Sequence, residues 1–276
     1  MRVLVTGHKG RLGSRVAAQL LDAGHQVTGY DVRENAHDNV IFHDHITTAA
    51  AGQDVIIHAA GLPHPNKGDM VHYVNINVLG TLNVLEAARI NKVKRVVYTS
   101  STGWYGCDMA GQLTPAYVPI DEGHPTAMTQ GYSDGGALDA YNQSKVMAEA
   151  LLAWFGTKHI IETVALRIAP ANTKTEQYGN GSAWDAYKVN DYRRGALFCN
   201  CHPDHAADAI VKAALADGPF WYEVFNVIDL YTHEKIDAQE FAKEVLGLKV
   251  TSKRRSLISP AKAQSFLGWQ PCEDRA

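Results

Sequence analysis

The sequence predicts an α/β fold built on a doubly wound parallel sheet, followed by a small C-terminal lobe. Over residues 1–171, short apolar runs typical of buried strands alternate with helical patterns. Such alternation builds right-handed βαβ units whose helices cover both faces of a sheet. A glycine-rich turn between the first strand and the first helix supports the same class. From residue 172 the alternation loosens, which predicts a lobe over 172–276 that partly returns to the first domain.

Hydrophobic periodicity then places the elements in chain order. The predicted strands cover 3–5, 26–30, 40–42, 54–58, 95–102 and 162–167, with a late strand at 223–228. The predicted helices cover 14–23, 71–90, 141–154 and 237–246. Segments 107–140 and 172–195 follow neither period. Irregular segments of this length inside a compact domain are usually functional loops.

The composition excludes several classes of partner. The net charge is -3 and the basic residues form no long run, so we predict no nucleic-acid surface. The apolar runs are far shorter than the roughly 20 residues that cross a bilayer, which predicts no membrane segment. The chain opens on a strand pattern rather than on a secretory leader, and its four cysteines are too few for a disulfide framework. These features predict a cytoplasmic protein.

Thirteen histidines invite a search for a metal site. Zinc needs ligands that converge on one point, and the one-residue gap between Cys199 and Cys201 on a predicted strand would direct them to opposite faces. We therefore predict no metal site. Small soluble ligands are the expected partners.

The glycine-rich turn contains the most informative residues of the chain. Gly7, Gly10 and Gly13 follow an apolar strand and precede a helix. Gly7 permits a sharp turn, Gly10 removes a Cβ that would block a phosphate, and Gly13 lets the helix pack close to the strand. The positive end of that helix favours an anion. The turn, with Arg11 and Leu12, is thus predicted to bind the pyrophosphate of a dinucleotide.

Asp31 follows the second predicted strand, where an acidic side chain accepts hydrogen bonds from both hydroxyls of an adenosine ribose. A carboxylate there favours NAD, because it would repel a 2′-phosphate. Lys9 and Arg33 could pair with such a phosphate, so NADP stays open as the alternative. Asp44, after the predicted strand 40–42, and the adjacent His45 are candidates for the adenine edge.

Tyr141 and Lys145 are four residues apart on a predicted helix and therefore share a face. An ammonium near a phenol favours the phenolate, which suits general acid–base catalysis. A second pair with this spacing, Tyr231 and Lys235, follows a late strand, so position favours the first pair. Ser101 lies in a row of hydroxyl side chains at the end of the predicted strand 95–102, where α/β sheets bind ligands.

These motifs together resemble those of extended short-chain dehydrogenases/reductases, also called the NAD-dependent epimerase/dehydratase family, which have a Rossmann-type fold. The similarity covers about 1–171 and resumes weakly at 203–209. The motifs occur in the family's order: Thr6-Gly-x-x-Gly-x-x-Gly13, Asp31, Ile57-His-Ala-Ala-Gly61, Asn77-Val-Leu-Gly-Thr81, Val97-Tyr-Thr-Ser-Ser101 with Tyr105-Gly106, Tyr141-x-x-x-Lys145 and Leu166-Arg167.

The resemblance implies a role for each matching residue. Tyr141 would be the acid–base residue, Lys145 would bind the nicotinamide ribose and tune Tyr141, and Ser101 would hold the reacting oxygen. The implied substrate contacts are Ser101, Thr102, Tyr141 and the loop residue His64. Relatives form dimers through helices, so a homodimer is expected. The remaining residues expected to line the cofactor are Ala59, Ala60, Gly61, Asn77, Thr99 and Ala169.

Departures from the family pattern narrow the expected reaction. Dehydratases of nucleotide sugars have Thr-Asp-Glu after this strand, as the acid and base of elimination. This chain has Ser101-Thr102-Gly103 there, so elimination of water is not expected. UDP-galactose 4-epimerases carry an asparagine where this chain has Pro170, and uronate dehydrogenases lack it. The first hypothesis is an epimerase-type hydride transfer between a sugar or nucleotide-sugar carbinol and nicotinamide. The alternatives are an NAD-dependent dehydrogenase of a free sugar or uronic acid, and a non-catalytic protein that senses NAD(P).

Overall fold

The computed structural model describes residues 1–63, 68–106, 115–126, 140–171, 199–230, 242–243, 247–248 and 256–271. The strands are β1 (Arg2–Thr6), β2 (Gln26–Tyr30), β3 (Val55–His58), β4 (Arg95–Ser101), β5 (Glu162–Ile168) and β6 (Glu223–Val227). The α-helices are α1 (Arg11–Asp22), α2 (His43–Ala49), α3 (Met70–Tyr73), α4 (Gly80–Ile90), α5 (Ala140–Thr157), α6 (Pro203–Leu215) and α7 (Ala261–Leu267). A π-helix covers Val74–Leu79 and a 3-10 helix covers Thr102–Tyr105.

The strands form a six-stranded sheet in the order β2-β1-β3-β4-β5-β6. β1 is parallel to both of its neighbours, β2 and β3, and β3 is parallel to β4. The chain starts in the interior of the sheet and extends it in both directions, which confirms the predicted doubly wound class. The winding reverses between β1 and β3, and in such sheets ligands bind at the carboxyl ends of the strands beside this point.

The core lies between the sheet and its helices. Leu4, Ile56 and Val96 come from one face of β1, β3 and β4, and all three are fully buried. They belong to one cluster with Leu85 of α4 and Leu152 of α5, among others. Complete burial of a side chain of this size contributes about 1.5–3 kcal/mol. These contacts fix the helices that carry the candidate site.

One predicted strand is wrong. Residues 40–42 form no strand, and α2 begins directly afterwards at His43. Val40 is buried, but its carbonyl accepts a hydrogen bond from Asn83 Nδ2 at 2.9 Å instead of pairing with a neighbouring strand. The apolar pattern there reflects packing against α4, in which a Cβ on Gly80 would lie 2.6 Å from Val40 Cγ2.

The predicted helices differ from the observed ones mainly at their ends. α1 begins at Arg11, three residues before the predicted start. The predicted helix 71–90 consists of α3, the π-helix and α4. The predicted helix 237–246 lies outside the described residues except for 242–243, which are helical.

The chain divides into two compact units, which interleave along the sequence. The first comprises Met1–Ser100, Ala140–Leu166 and Ala207–Val224, and the second comprises Ser101–Asp139, Arg167–Ala206 and Phe225–Ala276. The predicted division at residue 171 stays a prediction. Within the described residues, no helix is long and apolar enough to span a membrane.

Candidate active site

The glycine-rich turn has the geometry of an anion cradle. Gly7 has φ +71°, and a Cβ there would lie 2.6 Å from the backbone nitrogen of Ala60. A Cβ on Gly10 would lie 2.9 Å from the carbonyl oxygen of Gly7, and one on Gly13 would collide with the same oxygen. Gly10 is the N-cap of α1 and forms no side-chain capping bond. The first turn of α1 thus directs backbone N–H groups at a space without side chains, which fits a pyrophosphate.

Asp31 lies beside this cradle, immediately after β2. It is buried, and its carboxylate accepts hydrogen bonds from the backbone nitrogens of Lys9 and Arg33, each at 2.9 Å. A carboxylate has about four acceptor positions, so Asp31 can still accept bonds from ribose hydroxyls. This geometry fits an adenosine ribose.

The basic side chains near Asp31 already have partners. Lys9 Nζ lies 3.2 Å from a carboxylate oxygen of Glu34, and His8 Nε2 lies 2.7 Å from the other oxygen. Arg33 Nη1 donates to the carbonyl oxygen of Lys9 at 2.8 Å. The hydrogen bond from Lys9 is the main cause of the lowered pKa of Glu34. Glu34 therefore competes with a 2′-phosphate for the Lys9 ammonium, which favours NAD.

The two candidates for the adenine edge lie in the first turn of α2 rather than after a strand. Asp44 is exposed, and its Oδ1 lies 3.4 Å from His43 Nδ1. His45 Nδ1 lies 2.9 Å from the carbonyl oxygen of His37. Their role in adenine binding stays a prediction.

The loop after β3 contains three residues expected to line the cofactor. Ala59 N donates to the carbonyl oxygen of Thr6 at 3.1 Å, and Ala60 N donates to Thr6 Oγ1 at 3.2 Å. A Cβ on Gly61 would lie 2.9 Å from Asn77 Oδ1. The loop therefore runs close to the end of β1 and to the π-helix.

Asn77 connects this loop to α5. It is buried within the π-helix, and its Oδ1 accepts a hydrogen bond from Leu62 N at 2.8 Å. Its Nδ2 donates to Ser144 Oγ at 2.8 Å. Single π-helical turns occur frequently at functional sites, where they reorient one side chain. A 3.6-residue period cannot reveal this turn, so the sequence identified Asn77 through its motif alone.

Lys145 and Tyr141 lie together on α5. Lys145 is buried, and its Nζ donates to the carbonyl oxygen of Thr99 at 2.8 Å. The same nitrogen lies 4.7 Å from the ring centroid of Tyr98 and 5.7 Å from that of Tyr141. Burial lowers the pKa of Lys145 to about 8, although the charge of Glu149 opposes this change. An ammonium at this distance can stabilise a Tyr141 phenolate.

His58, which belongs to the motif Ile57-His-Ala-Ala-Gly61, is fully buried at the end of β3. A hydrogen bond of 2.8 Å joins its Nδ1 to Thr6 Oγ1, and one of 3.1 Å joins its Nε2 to Thr81 Oγ1. Burial lowers the pKa of His58 to about 3, and the charge of Lys145 contributes. His58 is therefore neutral. The spacing of Thr6, His58 and Thr81 along the sequence gives no signal for this chain of hydrogen bonds.

Three further candidate residues lie in the second unit. Ser101 is the N-cap of the 3-10 helix, and its Oγ accepts a hydrogen bond from Gly103 N at 3.1 Å. Thr102 is buried. Ala169 is also buried, and its nitrogen donates to the carbonyl oxygen of Val227 at 3.0 Å.

Arg167 stabilises the 3-10 helix. Its guanidinium carbon lies 3.3 Å from the ring centroid of Trp104, and its Nη1 donates to the Tyr105 hydroxyl at 3.1 Å. Tyr105 in turn donates to Asn226 Oδ1 at 2.7 Å. These contacts hold the segment directly after Ser101 in place.

Some candidates cannot be placed. His64 and the alternative pair Tyr231 and Lys235 lie outside the described residues. In the part of the chain that is described, no group of three or more His, Cys, Asp or Glu side chains could hold a metal ion. Cys199 and Cys201 are both buried.

Comparison with known proteins points in the same direction as this geometry. A family model described as the NAD dependent epimerase/dehydratase family matches residues 3–182. An L-arabinose 1-dehydrogenase (NAD(P)(+)) of Haloferax volcanii is 35% identical over 236 residues, covering 83% of this chain and 89% of that protein. A UDP-glucose 4-epimerase of Mycolicibacterium smegmatis is 27% identical over 319 residues, covering 98% of this chain and 94% of that protein.

A solved structure shows the same fold. The structure of MoeE5 in complex with UDP-glucose and NAD aligns with a TM-score of 0.73 at 19% identity, covering 99% of this chain and 94% of that one. The fold class, the use of NAD and an enzymatic function are thereby confirmed, and the alternative of a non-catalytic sensor is set aside. The chain belongs to the NAD dependent epimerase/dehydratase family, as its motifs predicted.

Proposed function

We propose that this protein is an NAD-dependent dehydrogenase that oxidises a free sugar at its anomeric carbon. The main observation in support of catalysis is that the buried Lys145 Nζ lies 5.7 Å from the ring centroid of Tyr141. The sugar dehydrogenase of Haloferax volcanii supports the choice of reaction, since its sequence is 35% identical to this chain, against 27% for the Mycolicibacterium smegmatis epimerase. Pro170, in place of the asparagine expected for UDP-galactose 4-epimerases, supports the same choice.

Each part of the site has a task in this proposal. The glycine turn would hold the pyrophosphate, Asp31 the adenosine ribose and Lys145 the nicotinamide ribose. When bound, NAD supplies a hydride acceptor. Ser101 would orient the C1 hydroxyl of the sugar, and the Tyr141 phenolate would take its proton as the C1–H bond breaks. Loss of one hydride and one proton converts the cyclic sugar into its lactone.

A substrate screen tests the reaction. The purified protein is mixed with NAD or NADP and with L-arabinose, other aldoses, D-glucuronate, D-galacturonate or UDP-glucose, and absorbance at 340 nm is followed. We expect net NADH formation with a free sugar or sugar acid and lactone among the products. Absorbance that stays flat with every free sugar would contradict the proposed dehydrogenase.

Replacement of Tyr141 by Phe tests the catalytic residue. This change removes the phenol but keeps the ring, so we expect kcat to fall by about 10²–10⁴ while NAD still binds. NAD binding is measured by isothermal titration calorimetry and turnover at 340 nm. Asp22→Ala, at the exposed end of α1 away from the glycine turn, is the control variant. Unchanged turnover in the Phe variant would remove Tyr141 from the mechanism.

A second candidate function is epimerisation of a nucleotide sugar. It is favoured by the alignment of the Mycolicibacterium smegmatis epimerase over 98% of this chain. An epimerase returns the hydride to the substrate, so it would convert UDP-glucose into UDP-galactose with no net change at 340 nm. Product analysis of the UDP-glucose reaction by chromatography therefore separates the two functions.

We further infer a cytoplasmic homodimer. Apolar side chains are exposed at Met70 and Val71 of α3, at Leu79 of the π-helix and at Trp154 of α5. Large apolar groups in solvent favour contact with another protein surface. Sedimentation velocity of the purified protein checks this inference, and a single species with the 30.2 kDa mass of one chain would contradict it.

A further inference from the structure

Glu149 is a buried carboxylate to which the sequence motifs assign no role. It lies on α5, four residues after Lys145 and eight after Tyr141, so the three side chains follow one face of the helix. Only 1% of its surface is exposed. A carboxylate in such a position is strongly destabilising unless hydrogen bonds and a nearby positive charge compensate for the lost water.

Glu149 and Lys145 both hold α5 against the end of β4. Ser100 Oγ donates to Glu149 Oε1 at 2.5 Å, and Lys145 Nζ donates to the carbonyl oxygen of the preceding residue, Thr99. Two successive residues of the strand therefore bind two successive turns of the helix. This double attachment fixes the height and rotation of α5 beside the strand.

The groups around Lys145 come from three elements. Tyr98 of β4 and Tyr141 of α5 have their ring centroids 4.7 and 5.7 Å from its ammonium nitrogen. Glu149 lies one helical turn further along α5 and raises the pKa of Lys145, while the charge of Lys145 contributes to the low pKa of His58 of β3. His58 is neutral because its pKa is about 3, and burial raises the pKa of Tyr98 well above 10. Among these neighbours, Glu149 is the one that raises the pKa of Lys145.

We propose that Glu149 is a positioning residue of the reaction, which keeps the buried Lys145 charged and attached to the end of β4, where it acts on Tyr141. This inference rests on the catalytic roles given to Lys145 and Tyr141 in the proposed function. Glu149 itself touches neither substrate nor cofactor in this proposal. Its effect is exerted through the charge of Lys145.

Two substitutions separate the charge of Glu149 from its hydrogen bond. Glu149→Gln removes the charge and leaves an amide oxygen that can still accept from Ser100. Ser100→Ala removes the hydrogen bond and leaves the charge. Removing a negative charge lowers the pKa of a neighbouring ammonium. We expect the alkaline limb of the kcat profile to move to lower pH by about one unit in Glu149→Gln.

The pH profile of kcat is measured from pH 6 to pH 11 at 340 nm, with the free sugar that gives the strongest signal in the screen. Ser100→Ala is expected to keep the wild-type alkaline limb even if kcat falls. Glu149→Asp retains the charge, and its alkaline limb is expected to lie within a few tenths of a pH unit of the wild-type limb. If Glu149→Gln does not fold, the test uses Lys145→Arg, whose cation does not titrate. Its alkaline limb is compared with the limbs of the wild type, Glu149→Asp and Ser100→Ala. The alkaline limb must then be absent in Lys145→Arg.

The outcomes distinguish this inference from the proposed function. An alkaline limb that is the same in Glu149→Gln and the wild type, or that moves equally in Ser100→Ala, overturns the role of Glu149. A limb that persists in Lys145→Arg overturns it as well. If instead Tyr141→Phe keeps full turnover, the proposed catalytic residues are wrong, whatever Glu149 does.

Discussion

At the scale of single residues, His58 shows how strongly the interior of this sheet changes side-chain chemistry. The imidazole is fully buried between the hydroxyls of Thr6 and Thr81. A neutral imidazole has one donor and one acceptor nitrogen, so it can serve both hydroxyls at once. Protonation would place a second positive charge beside Lys145. Burial and the charge of Lys145 both favour the neutral imidazole.

His58 makes the stability of the protein sensitive to acid. Its pKa is about 3 in the folded protein and 6.5 in the reference state. Between these values the unfolded chain binds the proton more readily, so the free energy of unfolding decreases as pH falls through this window. The loss amounts to about 3 kcal/mol at pH 4.

Replacement of His58 by Gln tests this prediction. Glutamine cannot titrate, so the stability advantage of the wild type over the variant should shrink by about 3 kcal/mol between pH 7 and pH 4. Urea denaturation at both pH values measures this difference. Carboxylates elsewhere titrate alike in the two proteins and cancel. If the free energies of unfolding of the two proteins change in parallel with pH, the pKa of His58 is the same in the folded and unfolded states, which contradicts the prediction.

At the scale of elements, the sequence predicts most of the sheet and fails where packing produces a strand-like pattern. Short apolar runs identify β1, β3 and β4 because strands in parallel sheets are buried on both faces. The same signal misplaces a strand at 40–42, where Val40 is buried by the helix that contains Asn83. Local sequence cannot distinguish burial against a helix from burial in a sheet.

For the candidate site, too, the sequence predicts some residues and misses others. Gly7, Tyr141 and Lys145 could be proposed from the sequence because their expected chemistry depends on spacing within one turn or one helix. The hydrogen bonds of His58 and of Glu149 could not, since their partners lie 23 to 52 residues away in the chain. Contacts of this kind are created by the order of strands in the sheet, which periodicity does not encode.

The glycine turn and the turn after β2 are expected to select between NAD and NADP. Glu34 contacts His8 and Lys9 and neutralises the Lys9 ammonium, which would otherwise attract a 2′-phosphate. Glu34→Gln should therefore raise kcat/KM with NADP several-fold while changing kcat/KM with NAD little. Both values are measured at 340 nm with the same sugar.

A matched control separates this local effect from a general change in surface charge. Glu86 forms a comparable exposed ion pair with Arg89 on α4. Glu86→Gln changes the net charge by the same amount, and we expect it to leave the ratio of NADP to NAD activity unchanged. Equal ratios in the two variants would show that Glu34 does not select the cofactor.

At the scale of the whole molecule, a buried ion pair and the candidate catalytic residues lie at opposite ends of the strands. Arg95 and Glu162 are the first residues of β4 and β5, whereas the candidate catalytic residues lie near the carboxyl ends. Arg95 is buried and donates to Glu162 through Nε at 2.9 Å. It also donates to the carbonyl oxygens of Ala213 and Ala216 at 3.0 and 2.7 Å. One guanidinium thus joins two strands and the end of α6.

This separation predicts a variant that is unstable but catalytically competent. Glu162→Ala leaves the buried guanidinium without its carboxylate, so the free energy of unfolding should fall by about 3–5 kcal/mol. Because the pair lies far from Tyr141 along the strands, kcat of the folded fraction should stay near the wild-type value. Urea denaturation gives the stability, and active-site titration with NAD gives the folded fraction. The double variant Arg95→Met/Glu162→Leu should recover part of the loss, since it removes the unpaired charge but leaves the carbonyls of α6 without a donor. A double variant less stable than Glu162→Ala would show that the caps on α6, rather than the ion pair, hold this end of the sheet together.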